Sequence, residues 1–389
     1  SHSIKTTYRP FLYCSKTHGP VDVGAVSNLV FQQAGIQYLK RVFLDTDGHV
    51  SQFWSYIQAQ KVMQWGSLAD PFCPIEDRYG VGLELLKFFR KIDYPIRFST
   101  KGVKWLDDAR YTSLFKRNKK WYVMVSIITG DENKAHAIER GVPSPLDRLR
   151  AIEKLAKLGI GRVILRLRPY MVGISDPGDD ELIRSAASAG ATAVSTEFFC
   201  LERRSPVLAR NLGLFSRLAE FDYLEFYRRF SYMQGYLRLN RNAKRDIINR
   251  LEATANEVGM EFYVSDAHFK ERCAGGSCCG LPSDANYSRG QFCEALRLCK
   301  LNGTVTWDEI SGEMEHLKGF LWRKAEGYNT NSCENRAKFH TFTMFDYMRY
   351  LWNSPKVGQS PYTMFEGIMK PVRKDANGNL VYEFDKSRA

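Results

Sequence analysis

Between residues 62 and 265 the chain repeats one pattern: a short β-branched or aromatic run, a polar turn, then an amphipathic helical stretch. This alternation leaves few folds open, because parallel strands need crossover connections and helices of this length supply them. It predicts an α/β fold on a parallel sheet. The expected strands are Met63 to Gly66, Pro95 to Ser99, Trp121 to Ile127, Arg162 to Pro169, Ala193 to Phe199 and Glu261 to Ser265. Expected helices run from Gly80 to Lys91, Leu106 to Lys116, Asp179 to Ala189 and Ala243 to Val258. The clearest follows Pro143: Ser144 reads as N-cap, Pro145 as first helical residue and Gly159 as stop. Leu146, Leu149, Ile152, Leu155 and Leu158 then read as its apolar stripe.

The remaining segments are less regular. A helix is expected from Asn28 to Arg41, others from Ser205 to Leu212, Phe221 to Tyr227, Thr306 to Leu317 and Thr341 to Trp352. A terminal hairpin turns at Asp375-Ala-Asn-Gly-Asn379. The domain reading is residues 1–62 as a lead-in, 63–270 as the β/α region and 271–389 as a cysteine-containing α+β extension. Hydrophobic and charged contents of 44% and 25% are those of an ordinary globular chain, and no run suits a membrane span or signal core. A cytoplasmic protein without a membrane partner is expected.

The net charge of +13 concentrates polyanions and favours nucleic acid as a partner, against the plainer reading of scattered surface lysines. Nine cysteines, an odd number with no export signal, point to metal, cluster or core thiols rather than a disulfide framework.

The densest chemistry lies in Gly66 to Gly80 and Ile96-Arg-Phe-Ser-Thr-Lys-Gly102, where polar residues sit at carboxyl ends of strands, the edge at which α/β sheets bind ligands. On spacing alone, Asp70, Ser99 and Lys101 read either as contacts to a nucleoside-like cofactor, or as a turn cap with a solvated lysine.

Asp70-Pro71, Pro74-Ile75-Glu76, Tyr79-Gly80 and Ser99-Thr100-Lys101 are followed by Val125-Ser126, Glu139-Arg140 and Pro143-Ser144-Pro145. Arg166-Leu-Arg-Pro169 with Val172-Gly173, and then Glu197, complete the series. In order and spacing this resembles the radical SAM family of spore photoproduct lyase and DNA repair photolyase-like proteins, over about residues 62 to 205. The resemblance implies a partial (β/α) barrel and S-adenosylmethionine bound across the top of the sheet. It also implies a four-iron four-sulfur cluster that reduces the cofactor to a deoxyadenosyl radical, and an external electron donor such as flavodoxin or ferredoxin. Cofactor contacts are then expected from Asp70, Ser99, Lys101, Ser126, Arg166 and Glu197. The implied activity is of lyase or isomerase type, cleaving or rearranging a bond in a nucleobase of nucleic acid, expected to be DNA. Two alternatives stand beside it: a nucleic-acid-binding protein on a barrel without a cluster, and a radical enzyme acting on a peptide or metabolite.

The family's Cys-x3-Cys-x2-Cys triplet does not occur in the sequence. Three explanations stay open: the triplet lies on a segment outside this chain, other cysteines hold the cluster, or the barrel has lost it. Cys14 stands alone where the triplet is expected, while Cys273, Cys278 and Cys279 follow one another around a Gly-Gly turn that lets thiolates converge on a metal or auxiliary cluster. The plainer reading is a glycine turn with buried thiols. Arg228, Arg229, Tyr232, Tyr236 and Arg238 interleave cations and aromatics as nucleic-acid surfaces do, although aromatics this dense more often form core.

Overall fold

The computed structural model describes residues 36–37, 39–45, 54–65, 70–202, 206–232, 236–274, 279–287, 292–322, 333–357 and 359–388. The described residues fall into two units, one running from Val62 to Ala285 and the other joining residues up to Lys61 with Asn286 onward.

The first unit is built on six strands: β1 (Met63–Trp65), β2 (Ile96–Thr100), β3 (Trp121–Ser126), β4 (Arg162–Tyr170), β5 (Ala193–Phe198) and, after three short strands, β9 (Glu261–Val264). They pair in the order β1-β2-β3-β4-β5-β9, every neighbour parallel. Because spatial order follows chain order, this is the open (β/α) barrel arrangement, and all strands end at one edge. The crossovers include α1 (Pro74–Tyr79), α2 (Val81–Lys91), α3 (Ala109–Phe115), α4 (Glu132–Ile138), α5 (Pro145–Leu158), α6 (Asp179–Ser188), α7 (Pro206–Ala219), α8 (Tyr223–Phe230) and α9 (Arg241–Glu257).

The two sheet faces differ because side chains alternate along a strand. In β2, Ile96, Phe98 and Thr100 are buried, and Phe98 packs edge-on against Trp105 and Phe115 on the helix side. Arg97 and Ser99 point to the opposite, inner face and are partly exposed. Register puts Ser99, Met124, Ile164, Ala193 and Glu261 in one inner row, and Ser126, Arg166, Ser195 and Tyr263 in the next row toward the carboxyl edge.

Helix α5 starts and stops as its sequence requires: the Ser144 hydroxyl accepts from Asp147 N, and Gly159 closes it with φ 69°. The expected apolar stripe is nevertheless displaced. Leu146 is 50% exposed, whereas Arg148 is 1% exposed and shares the buried face with Ala151, Ile152 and Leu155. The expected helix over 106–116 divides into a 3₁₀ turn, Lys104–Asp107, and α3, where the Asp108 carboxylate accepts from Arg110 N. Helices α1 and α4 were not anticipated, being too short for a periodic signal.

Beyond β5, β6 (Leu201–Glu202), β7 (Ser231–Tyr232) and β8 (Tyr236–Leu239) form a small antiparallel sheet. Tyr223 and Tyr227 of α8 are buried in an aromatic cluster with Phe199, Phe215 and Phe226. The second unit holds α10 (Cys293–Asn302), α11 (Met344–Trp352) and the sheet β10 (Thr304–Val305), β12 (Leu380–Phe384), β11 (Met369–Lys374). The hairpin turns where expected: the Asp375 carboxylate accepts from Asn377 N and Asn379 N, and Gly378 takes φ 76°. Most of the helix expected over 28–41 lies outside the described residues. Among the described residues no helix is long and apolar enough to cross a membrane.

Candidate functional site

The carboxyl edge of the sheet is organised first by acids that serve the backbone. Asp70 follows β1, and its Oδ1 accepts from Phe72 N at 2.9 Å and from the Thr100 hydroxyl at 2.8 Å. Its Oδ2 accepts from Lys101 N at 2.5 Å and Gly102 N at 3.3 Å. Burial pushes the Asp70 carboxyl up, with these four donors pulling against it. Both oxygens are thus engaged in fixing the turn after β2. Gly102 is required there because a Cβ would come within 2.8 Å of Phe72 O. Glu76 acts in the same way one layer out, accepting from Gly82 N at 2.7 Å, Leu83 N at 2.8 Å and the Tyr111 hydroxyl at 2.6 Å. It caps the start of α2, so the Pro74-Ile75-Glu76 phrase has a structural cause here.

Lys101, itself half-buried, is drawn into a three-charge group around the buried Glu139 and Arg148. Its Nζ lies 2.5 Å from Glu139 Oε1, and Arg148 Nη1 lies 2.8 Å from Glu139 Oε2. The same Arg148 nitrogen donates to the carbonyl of Ser126 at 2.7 Å, at the end of β3. Burial pushes the Glu139 carboxyl up, but Lys101 and Arg148 more than offset it and hold the carboxyl below its usual range. Glu139 and Arg148 are the residues that pattern reading missed. Glu139 was visible only as part of the family resemblance, and Arg148 is not among the apolar residues that periodicity picks out.

Arg166 stands out by its surroundings. It projects from β4 onto the inner face, and its hydrogen-bond partner among the described residues is the neutral Ser99 hydroxyl, 3.1 Å from Nη1. Burial draws the guanidinium down to about 10; repulsion from Arg168 and, less, Arg97 lowers it too, while Cys279 and Glu197 act the other way. Glu197, at the end of β5, is ion-paired with Arg168. Ser126 is buried beside Arg166 in the register. The structure thus brings Ser99, Ser126, Arg166 and Glu197 to one edge of one face, with Asp70 and Lys101 bracing the adjoining strand end.

The amino side of the same face is closed by the cysteine segment. Cys273 and Cys279 pack on Met124, Ile164, Ala193 and Tyr263. Cys273 Sγ lies 3.3 Å from both Val264 N and Val264 O. Arg162 Nη1 donates to Glu261 at 2.6 Å and to the Gly280 carbonyl at 3.3 Å, while the Tyr263 hydroxyl donates to the Leu281 carbonyl at 3.0 Å. Among the described residues no three His, Cys, Asp or Glu side chains converge as a metal site. Cys14 and Cys278 lie outside the described residues. Of the four expected ligands the described residues place Cys273 and Cys279, two thiols where the family's cluster takes three.

Of the nucleic-acid candidates, Arg228 is exposed on α8, 3.9 Å from Glu225, and Arg229 lies over the Phe230 ring. Arg238 is exposed on β8, opposite Tyr232 in the register. Tyr232 and Tyr236 are extended backbone in β7 and β8, and their side chains fall outside the described set. The neighbouring aromatics Tyr223 and Tyr227 are core, as the plainer reading held.

No family profile matches the chain. It is distantly related to a protein named radical SAM Nalpha-GlyT isomerase of Pseudomonas phage M6, being 30% identical over 137 residues, 34% of this chain and 27% of the relative. An uncharacterized protein of Mycobacterium tuberculosis is 28% identical over 132 residues, 33% of this chain; the match spans 38% of that protein's length. Solved structures of spore photoproduct lyase resemble it. One with bound AdoMet and dinucleoside spore photoproduct has 15% identity and a TM-score of 0.40, covering 60% of this chain and 66% of that one.

Proposed function

We propose that the carboxyl edge of the six-stranded sheet binds S-adenosylmethionine, and that the chain works as a radical SAM-type protein on a nucleobase of nucleic acid. The observation that carries this reading is Arg166, a largely desolvated cation whose hydrogen-bond partner among the described residues is a hydroxyl, while Glu197 and Cys279 favour its charge without a described hydrogen bond. Leaving a buried charge without a counter-charge works against folding, and a bound carboxylate offsets that cost through two parallel hydrogen bonds. The methionine end of the cofactor offers such a carboxylate. Ser99 and Ser126 add hydroxyls beside it, and Glu197, shared with Arg168, is the acid that its ammonium group would meet. Bound there, S-adenosylmethionine would supply radical chemistry only on receiving one electron from a reductant that the described residues do not hold, while the chain's own residues would hold and orient it and exclude water. Asp70 and Lys101 are assigned to the strand end rather than to direct contact, since Asp70 accepts four chain donors and Lys101 is paired with Glu139.

The nucleic-acid part of the reading is supported by the net charge of +13 and by the exposed Arg228, Arg229 and Arg238 in the same unit. Two measurements test the whole. Calorimetric titration with S-adenosylmethionine should give saturable binding that weakens about tenfold or more in Arg166→Met, the loss expected for a charged hydrogen-bonding partner. Equal affinity in the two proteins removes the basis of the cofactor reading. Binding to single-stranded DNA should fall steeply with salt, and an Arg228→Ala, Arg229→Ala double variant should lower that slope by about one for each phosphate no longer neutralised. A salt-independent or undetectable interaction argues for a substrate other than nucleic acid.

A further inference from the structure

Among the described residues, a group of charges around the buried Glu139 joins elements distant in the chain and ends at the candidate site. Glu139, just after α4, is 3% exposed and faces two cations from different directions: Lys101, beyond the end of β2, and Arg148, from the first half of α5. Arg148 in turn reaches the Ser126 carbonyl at the end of β3, and its Nε lies 3.4 Å from Ser144 O at the start of its own helix. A helix of this kind normally buries leucine at such a position. Here it buries a guanidinium and exposes Leu146 instead. Apolar packing would serve stability as well or better, so burial of the Glu139–Arg148 pair, with the half-buried Lys101 beside it, has to be understood through the geometry that these charges impose.

We infer that Glu139 is a positioning residue: through Lys101 and Arg148 it locks the ends of β2 and β3, and so sets the positions of Ser99 and Ser126 on the two strands that lead up to Arg166. The inference deepens the cofactor reading by assigning who holds the site, and it does not require Glu139 to touch a ligand. Asp70 and Glu139 divide the work at β2. Asp70 takes the Lys101 and Gly102 amides, and Glu139 takes the Lys101 ammonium, so the strand end is gripped through backbone and side chain from opposite sides. At β3 the Arg148 bond to the Ser126 carbonyl reaches a group that no following strand residue pairs.

The test is hydrogen exchange on the full chain, read by mass spectrometry on peptides covering 97–103 and 122–128, with a β9 peptide as internal reference. Glu139→Gln and Lys101→Met are compared with the wild type. The expected result is faster exchange, by about tenfold or more, in the first two peptides and little change in β9, the signature of local opening rather than general loss of stability. Glu139→Gln should act on both peptides, and Lys101→Met on 97–103 alone. Should Glu139→Gln fail to fold, Lys101→Met still decides, because it leaves the Glu139–Arg148 pair in place. Unchanged protection in both strand-end peptides, or an equal rise in β9, overturns the inference. S-adenosylmethionine titration of the two variants and their combination adds a separate arm. The variants should weaken binding, and the double variant should be no weaker than Glu139→Gln alone, since Lys101 acts through the same contact. If the wild type does not bind S-adenosylmethionine the cofactor reading fails, and the exchange data still decide the positioning role.

Discussion

Two ends of one sheet face treat their arginines differently. At the amino end Arg162 meets Glu261 through two nitrogens, and the face is sealed by Met124, Ile164, Ala193 and Tyr263 under the cysteine segment. At the carboxyl end, two positions further along the same face of β4, Arg166 has a hydroxyl as its hydrogen-bond partner, with repulsion from Arg168 and Arg97 set against attraction from Cys279 and Glu197. The strands, the pairing and the residue type are shared, so the contrast comes from the partners. Folding has answered the charge where it needs to close the core, and has left a cation only partly answered where the proposed ligand would sit.

The strongest way to break this contrast is at Glu139. Replacing it with alanine leaves two cations short of a counter-charge in a buried place, and should cost about 3–5 kcal/mol in urea denaturation. A loss under about 1 kcal/mol would mean that the triad is solvated and unimportant. The same group gives a pH signature. Its folded carboxyl is held below the ordinary value of 4.5, so its contribution is present above that value and is lost as pH falls through the folded value. The stability gap between wild type and Glu139→Gln should therefore narrow in acid, whereas a gap that widens would reverse the sign assigned here.

At the sealed end, Gly280→Ala puts a Cβ about 3.0 Å from Ile164 Cγ2 on a residue with φ 78°. It should cost about 1–2 kcal/mol, and a neutral result would show that the cysteine segment is not held on the face. The two arginines then sharpen the comparison. Arg162→Met should lose about 1 kcal/mol, discounted because Glu261 is partly solvated, while Arg166→Met should change stability by less than that or raise it slightly. Equal losses at both positions would erase the difference between the two ends.

Much of the fold was readable because local rules carry it. Strand β4 comes from a continuous β-branched run and helix α9 from one uninterrupted helical stretch, and α5 has Ser144, Pro145 and Gly159 at its ends for reasons confined to a few neighbours. The small sheet β6-β8-β7 was not readable, since its strands are short and are held by pairing across residues 201 to 239 rather than by their own pattern. The candidate site was legible in part. Ser99, Ser126, Arg166 and Glu197 came from strand ends and family resemblance, and register gathers them on one edge. Asp70 and Lys101 came from the same stretch, yet their side chains are engaged by the chain itself.

Sequence alone determined the order of strands and helices, because alternation and helical period depend on each residue's own polarity. It also determined that polar residues collect at one end of the strands. Only tertiary structure decided which charges meet. Glu139 finds Lys101 thirty-eight positions earlier and Arg148 nine positions later, and neither separation carries a periodic signal. Burial of a polar group depends on its partner in space, so Arg148 could be core and Leu146 surface while the pattern implied the reverse.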